Sequence, residues 1–302
     1  MSLLLKICGD EIRIRGRLIR IARPEADKYQ TLDDPESLVY SLRHCGERID
    51  LFTFMQIMPE TSPKYHFPME WDNLAVLPVS TYDHWWTKQI RSLARNRARQ
   101  AEKKGVALRE VSFDDVLAQG IWRIYNESPI RQGRPFPHYG KDIETVRREA
   151  ATFLDNSLFI GAFLGSDMIG FVKLTWDKAC TQANLMNILA MIKHRDTAPT
   201  NALIAQAVRS CASRGIRYLV YQQFHYGKKR NDTLSHFKEI NGFERVDLPR
   251  YYIPLTRLGG AAFKLGLHLR FADHLPEPVV AKIRQLRNSW FGRKVQVGTE
   301  AS

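Results

Sequence analysis

Cysteine is scarce in this chain of 302 residues. Cys8, Cys45, Cys180 and Cys211 lie far apart, with no C-x-x-C pair among them. That spacing excludes a disulfide framework and offers no paired thiols for zinc or redox chemistry, so reduced thiols are expected. Long apolar runs are missing as well. Nothing approaches the roughly 20 residues that a spanning helix needs, and the segment from Met1 to Asp10 turns charged too soon for a signal peptide. The expected location is cytoplasmic. Acids are in deficit: 32 Asp and Glu oppose 45 Lys and Arg, for a net charge of +13. The excess points to an anionic partner, whether RNA, an anionic membrane face or a phosphate-bearing substrate, and charge alone does not choose among them. No G-x-S-x-G elbow, H-E-x-x-H motif or paired metal-ligand spacing is present, so neither serine nucleophile nor metal is expected. RNP and KH signatures are absent too, and no DNA partner is expected.

What is present reads as an ordinary globular composition, 44% hydrophobic and 25% charged. Residues 1–60 read as strands and turns. Glu11–Arg20 opens with alternating apolar and charged residues, the period of a half-exposed strand, and Ile49–Pro59 reads as a more buried one. Between them Asp34 and Pro35 open a short helix. Leu74–Val79 is an apolar strand. Thr81–Gly105 reads as one helix with Trp85, Trp86, Ile90, Leu93 and Ala94 on its packed face. The same stretch carries Lys88, Arg91, Arg95, Arg97, Arg99, Lys103 and Lys104, which form either a solvated face or a binding surface.

The next 150 residues change rhythm. A strand (106–111) and a helix reaching Tyr125 precede a loop over 126–141, then a helix over 142–153. Strands follow at 157–164, 168–175 and 182–192, the first two joined by a Gly-Ser-Asp turn. A helix over 199–214 stops at Gly215. Strand 216–222, helix 232–240 and strand 250–255 complete the order β-α-α-β-β-β-α-β-α-β. The expected architecture is α/β of the α+β kind: a mixed central sheet flanked by helices. The boundaries read as a strand-rich half with a basic helix at 1–105, a main domain at 106–256, and a basic extension at 257–302. In the extension, 279–291 reads as an amphipathic helix with Val280, Ile283, Leu286 and Trp290 on one stripe. That stripe either docks on the protein or meets an anionic membrane.

This order, read with three segments, resembles the acyl-CoA N-acyltransferase (GNAT) superfamily and, more narrowly, its FemAB-like branch. The segments are the basic run 95–105, the stretch 198–203 with its helix and Arg214–Tyr218, and Leu234–Phe243. The resemblance covers about 95–256. It implies acyl or aminoacyl transfer by direct attack of an amine on an activated donor, either an acyl-CoA or an aminoacyl-tRNA. The implied acceptor is a small amine, for example an amino sugar or an envelope precursor. Fold alone does not fix chemistry, and the alternatives are a non-catalytic RNA-binding protein or a partner in an envelope complex on the same scaffold.

Candidate site residues follow from the residues and the resemblance together. A strand, a turn and a helix start present free amides and a positive dipole end, a place for an anion. Here that turn runs from Lys193 to Pro199, with Arg195 beside it, Thr197 or Asp196 as the cap, and Thr200 and Asn201 in the first helical turn. Simple acetyltransferases carry an Arg/Gln-x-x-Gly-x-Gly/Ala run at this point. The chain lacks those glycines, a departure that favours the FemAB-like pattern. FemAB-like enzymes have a Phe-Lys pair whose lysine faces the reacting carbonyl; Phe237-Lys238 matches it, although the motif closes in Asn-Gly-Phe. Lys238 is therefore either an oxyanion stabiliser or a solvent-facing helical lysine. Tyr226 is a second candidate for proton transfer. The loop at 131–140 borders the acceptor side in this superfamily: Arg131 and Arg134 suit a phosphate or carboxylate, and His138 or Tyr139 suits an amine. Gln222, where a splayed strand pair opens in this fold, is the last acceptor candidate.

Overall fold

The computed structural model describes residues 2–225 and 233–269. Three strands open the chain, β1 (Ser2–Ile7), β2 (Asp10–Arg15) and β3 (Ile21–Pro24), followed by helix α1 (Pro35–His44) and strands β4 (Leu51–Met55) and β5 (Met69–Pro78). Asp34 accepts from the Ser37 amide and Pro35 occupies the first turn of α1, the expected start. Next come α2 (Tyr82–His84), a π-helical turn (Trp85–Gln89), α3 (Ser92–Lys103), β6 (Val106–Val111) and α4 (Asp115–Tyr125). A small hairpin, β7 (Ile130–Arg131) and β8 (Arg134–Pro135), interrupts the following loop before α5 (Ile143–Ala150). Strands β9 (Ser157–Leu164), β10 (Asp167–Trp176) and β11 (Gln182–Ala190) lead through a 3₁₀ turn (Ile192–Thr197) to α6 (Pro199–Ser213). The chain continues through β12 (Tyr218–Gln223), α7 (Thr233–Ile240), β13 (Glu244–Pro254) and α8 (Arg257–Lys264).

Eleven of these strands form one mixed sheet in the order β1-β2-β3-β4-β13-β5-β12-β11-β10-β9-β6. Only β3–β4 and β11–β12 pair in parallel; every other neighbour is antiparallel. The alternation of strand side chains assigns the helices to faces. Phe159 and Phe171 pack with Leu117, Ile121 and Val146 of α4 and α5. Their neighbours Ile160 and Val172 pack with Ala94, Ala98, Leu203 and Val208 of α3 and α6 on the other face. Over the N-terminal strands, α1 covers a cluster that holds Phe52, Phe54 and Tyr251.

The expected helix over 81–105 is broken in two. Ile90 turns extended (ψ 133°), and its amide closes a π-type bond back to the Trp85 carbonyl. The cause is tertiary. The Arg91 amide donates to the Ile240 carbonyl at 2.9 Å and the Trp85 indole donates to Asn241, so the end of α7 draws this backbone out of the helix. Trp85, Ile90 and Ala94 are buried as the spacing required, but the break leaves Leu93 on the outside. Strands β5 and β13 run longer than expected because each pairs along most of its length with the other. No helix among the described residues is long and apolar enough to cross a membrane. The amphipathic helix expected over 279–291 lies outside the described residues.

Candidate active site at a parted strand pair

Strands β11 and β12 pair only through Gln182–Asn184 and Tyr218–Val220. Beyond those three registers they separate, and each carries a bulge at the point of separation. On β11, Leu174 faces Leu185 while Lys173 faces Asn187, so Met186 is the extra residue. On β12, Val220 faces Val76 and Gln223 faces Leu74, with one more residue on β12 than on its partner. Gln222 sits there at φ 49°, in the left-handed region. A bulge bends its strand and raises its twist. Two bulges on opposite sides of one junction swing the strand ends apart.

Lys238 lies on the β12 side of this opening. It is 0% exposed, unlike the solvent-facing lysine that its helical position also allowed. Its ammonium donates to the Gln223 carbonyl and stands 4.8 Å from the centre of the Tyr221 ring. The Asn-Gly-Phe ending has a local cause. Gly242 takes φ 88°, the Phe243 amide returns to the Lys238 carbonyl, and the Gly242 amide returns to Glu239, a glycine-closed helix end. That closure seats Phe243 in the core and fixes the turn of α7 that carries Phe237 and Lys238.

The expected donor turn sits after the β11 end. Lys193 and Arg195 are exposed, Thr200 is half-buried, and Asn201 is buried with its amide nitrogen lacking a hydrogen-bond partner. Neither expected cap closes α6. Thr197 donates its hydroxyl to the His194 carbonyl, and the Asp196 carboxylate accepts from Lys104 at 2.7 Å. The cap position belongs to Ala198, in left-handed backbone without a side-chain bond, because the 3₁₀ turn brings the chain in one residue late. The turn is instead held from outside: Glu127 accepts the amides of Ile192 at 2.7 Å and Lys193 at 3.0 Å.

Glu127 also pairs with Arg131, which the sequence offered as an acceptor ligand. The Arg131 guanidinium donates to the carbonyls of Ala190 and Ile124, both at 2.7 Å, and lies 4.8 Å from the Phe136 ring centre. Burial and nearby Arg195 pull its pKa down, against the opposing pull of Glu127. Arg131 thus pins the loop to the parted end of β11. His138 stacks on Tyr125, and burial together with Lys141 lowers its pKa against the opposing Glu149, so its imidazole is neutral near pH 7. Arg134 and Tyr139 lie at the surface, and Tyr226 lies outside the described residues. The structure therefore brings Lys238 and Gln222 together at the β12 bulge, and Arg131 together with the donor turn at the β11 end.

A third wall comes from the N-terminal half. The segment after β3 crosses the sheet, where Lys28 donates to the Gln222 side chain at 3.0 Å and its carbonyl accepts from Gln182. A cleft of about 500 Å³ opens here, lined by Arg13, Arg15, Arg23, Lys28, Tyr29 and Gln222 and by the acids Glu25 and Asp27, which pair with Arg13 and Arg23. Burial, with Arg250 nearby, lowers the Lys28 pKa against Asp72 and Asp27. Beneath lies a charged chain: Arg250 joins Asp27 and Asp72, both at 2.9 Å, and Asp72 accepts from the Gln223 side-chain Nε2. Burial works to raise the Asp72 carboxyl, but Arg250 and Gln223 prevail and hold it below the usual carboxylate range. The alternating charges of β2 were legible as a polar strand face; nothing in the sequence joined them to residues two hundred positions away.

No family model matches the chain. No curated protein matches it in sequence either. Solved structures do match in shape. FemX superposes with a TM-score of 0.56 at 9% identity, over 82% of this chain and 87% of FemX. The C-terminal domain of a candidate lysylphosphatidylglycerol synthetase from Agrobacterium fabrum gives 0.56 at 14% identity, over 87% of each chain. L-PGS from Bacillus licheniformis gives 0.56 at 12% identity, over 85% of each. The chain has a GNAT-type fold of the FemAB-like form.

Proposed function

We propose that this protein transfers an acyl or aminoacyl group from an activated donor, an acyl-CoA or an aminoacyl-tRNA, to an amine acceptor by direct attack. The observation that carries the reading is the doubly bulged parting of β11 and β12 with the buried Lys238 ammonium beside it. In this reading the donor carbonyl lies in the crevice with its oxygen toward Lys238. The amine nitrogen bonds to the carbonyl carbon, and the oxygen takes negative charge that the ammonium stabilises where water is excluded. Collapse breaks the bond to the thiol sulfur or ribose oxygen, and the proton lost by the amine ends on that leaving group. Much of the acceleration comes from holding both substrates in one crevice.

Lys193, Arg195, Thr200 and Asn201 serve the donor side, with Thr197 and Glu127 shaping the turn. Gln222 serves the acceptor side, joined by the cations of the neighbouring cleft, which suit an acceptor that carries an anionic group. Arg131 acts by positioning the loop that bears Arg134, His138 and Tyr139. The test is transfer itself: purified protein is offered acetyl-CoA, longer acyl-CoAs and aminoacyl-tRNAs with a panel of amines, and products are read by mass spectrometry. Amine-dependent consumption of one donor, lost in Lys238→Met, supports the reading. Absence of transfer with every donor class overturns it.

A second reading, a non-catalytic RNA-binding protein, draws on a different surface. Arg91, Arg97, Arg99 and Lys103 are exposed along α3, beside a stacked Tyr82–Trp86 pair with Arg209 4.1 Å from the Tyr82 ring centre. Salt-sensitive tRNA binding without transfer would select it.

A further inference from the structure

We propose that the β2–β3 loop and the start of α8 form one docking tip for an anionic lipid bilayer, and that the cleft beside Gln222 opens at that bilayer. Leu18, in the middle of the loop, is 85% exposed, more than any other large apolar side chain among the described residues. It does not sit on slack chain. Gly16 turns at φ 110°, so tightly that a Cβ there would lie 1.9 Å from the Ile19 carbonyl oxygen. Arg48 donates to the Leu18 carbonyl at 2.7 Å, the Asp50 amide donates to the Arg20 carbonyl at 2.8 Å, and the Arg20 amide donates to the Asp50 carboxylate at 2.9 Å. The backbone is thus built to hold a leucine out in water, which a polar residue would do at no hydrophobic cost.

Leu258 reaches the same place from the far end of the chain. Thr256 donates to the Asp50 carboxylate at 2.9 Å, the Leu255 amide donates to the Asp50 carbonyl, and Gly259 packs against that carbonyl with no room for a Cβ. Leu258 is 45% exposed, and Leu265 and Leu267 remain exposed beyond α8. Cations outnumber acids around these leucines. Arg17 and Arg257 are exposed, while the acids at the tip are engaged: Asp50 is buried against Arg48, and Glu47 pairs with Arg20. Apolar side chains ringed by cations match the boundary between lipid phosphates and acyl chains. A second copy of this tip would meet it cation to cation, which disfavours self-association.

The tip is continuous with the cleft. Gly16 and Ile19, on either side of Leu18, line it together with Arg15 and Arg23. A docked tip therefore holds the cleft mouth at the headgroup layer. The docking surface stands on its own observations; that the cleft receives a membrane-borne amine acceptor rests on the transferase reading.

The test uses the full chain and flotation with two vesicle types, one of equal phosphatidylglycerol and phosphatidylcholine, the other of phosphatidylcholine alone. The expected result is binding to the first, little to the second, and release at high salt. Leu18→Asp and Arg17→Glu should each lower partitioning by about tenfold with an unchanged thermal midpoint, since both side chains are free of the core. No binding to the anionic vesicles overturns the proposal, as does Leu18→Asp binding like the wild type. A concentration-dependent dimer that Leu18→Asp abolishes also overturns it, by making the tip a contact between copies. These flotations contain no donor and do not depend on transfer, so vesicle binding here, together with absence of transfer in the separate assay of donors and amines, would leave the tip standing and remove the transferase reading.

Discussion

Replacing Lys238 with methionine keeps the length of the side chain and deletes its charge, so two consequences can be worked out separately. The first concerns folding. Lys238 is fully buried, donates to the Gln223 carbonyl and faces the Tyr221 ring. Methionine refills the volume but leaves that carbonyl without this donor, a cost of about 1–3 kcal/mol. The second concerns the reaction. Removing one preformed partner of a developing oxyanion costs about 10²–10³ in kcat, or about 3–4 kcal/mol. Rates at saturating amine and varied donor should therefore show kcat falling by that factor. Donor KM should move less than about threefold, because the charge interacts with an oxyanion absent from the bound ground state. A parallel denaturation curve separates lost protein from lost rate. Lys238→Arg keeps the charge in a bulkier fork and should fall between. A Lys238→Met protein that folds and turns over within about threefold of the wild type would refute the oxyanion role.

Four further outcomes follow from contacts elsewhere. Arg250→Met strands Asp27 and Asp72 in the interior and should lower unfolding stability by about 3–5 kcal/mol in urea. Because Asp72 is held below its ordinary 3.8, its contribution is complete above that pH and lost as pH falls through the depressed native value, so the acid limb should flatten in this variant. Lys173 donates to the Ala150 and Thr152 carbonyls, and burial pushes it down to about 8 from 10.5. The unfolded chain then binds the proton more tightly, so wild-type stability should climb between those pH values while Lys173→Met lacks the climb. Glu127→Gln should speed hydrogen exchange at the Ile192 and Lys193 amides and raise donor KM more than it lowers kcat. Gly259→Ala would drive a Cβ to 1.7 Å from the Asp50 carbonyl oxygen; the backbone must shift, at about 1–3 kcal/mol read as a lower thermal midpoint.

The C-terminal half was the more legible part. Strands 157–164 and the helix from Pro199 follow local rules of alternation, turn chemistry and helix stops, and they lie within a residue or two of where those rules put them. The break at Ile90 was hidden because its cause is a bond to Ile240, far along the chain. The same holds at the site. Phe237-Lys238 could be singled out as a pair, yet burial of the lysine depends on β12 bending at Gln222 to bring the Gln223 carbonyl over it. Arg131 was visible as an arginine in a Pro-braced loop, but its partners are backbone carbonyls of Ile124 and Ala190, which carry no signature in side-chain type. Lys28, Arg15 and Arg23 belong to the strand-rich half, and the crossing that sets them beside Gln222 is a fact of topology.

Strand β13 lies between β4 and β5, and among the described residues it is the last strand of the sheet to be translated. The Tyr251 hydroxyl meets Gln56 across a separation of 195 residues. At about 5–20 residues per second the ribosome needs about 10–40 s to cover that distance. Throughout that interval the nascent β4 and β5 have open edges where β13 will sit, and open edges invite pairing with the wrong chain. During synthesis, then, the burden of keeping this protein out of aggregates falls on whatever shields those two strands until its C-terminal quarter leaves the exit tunnel.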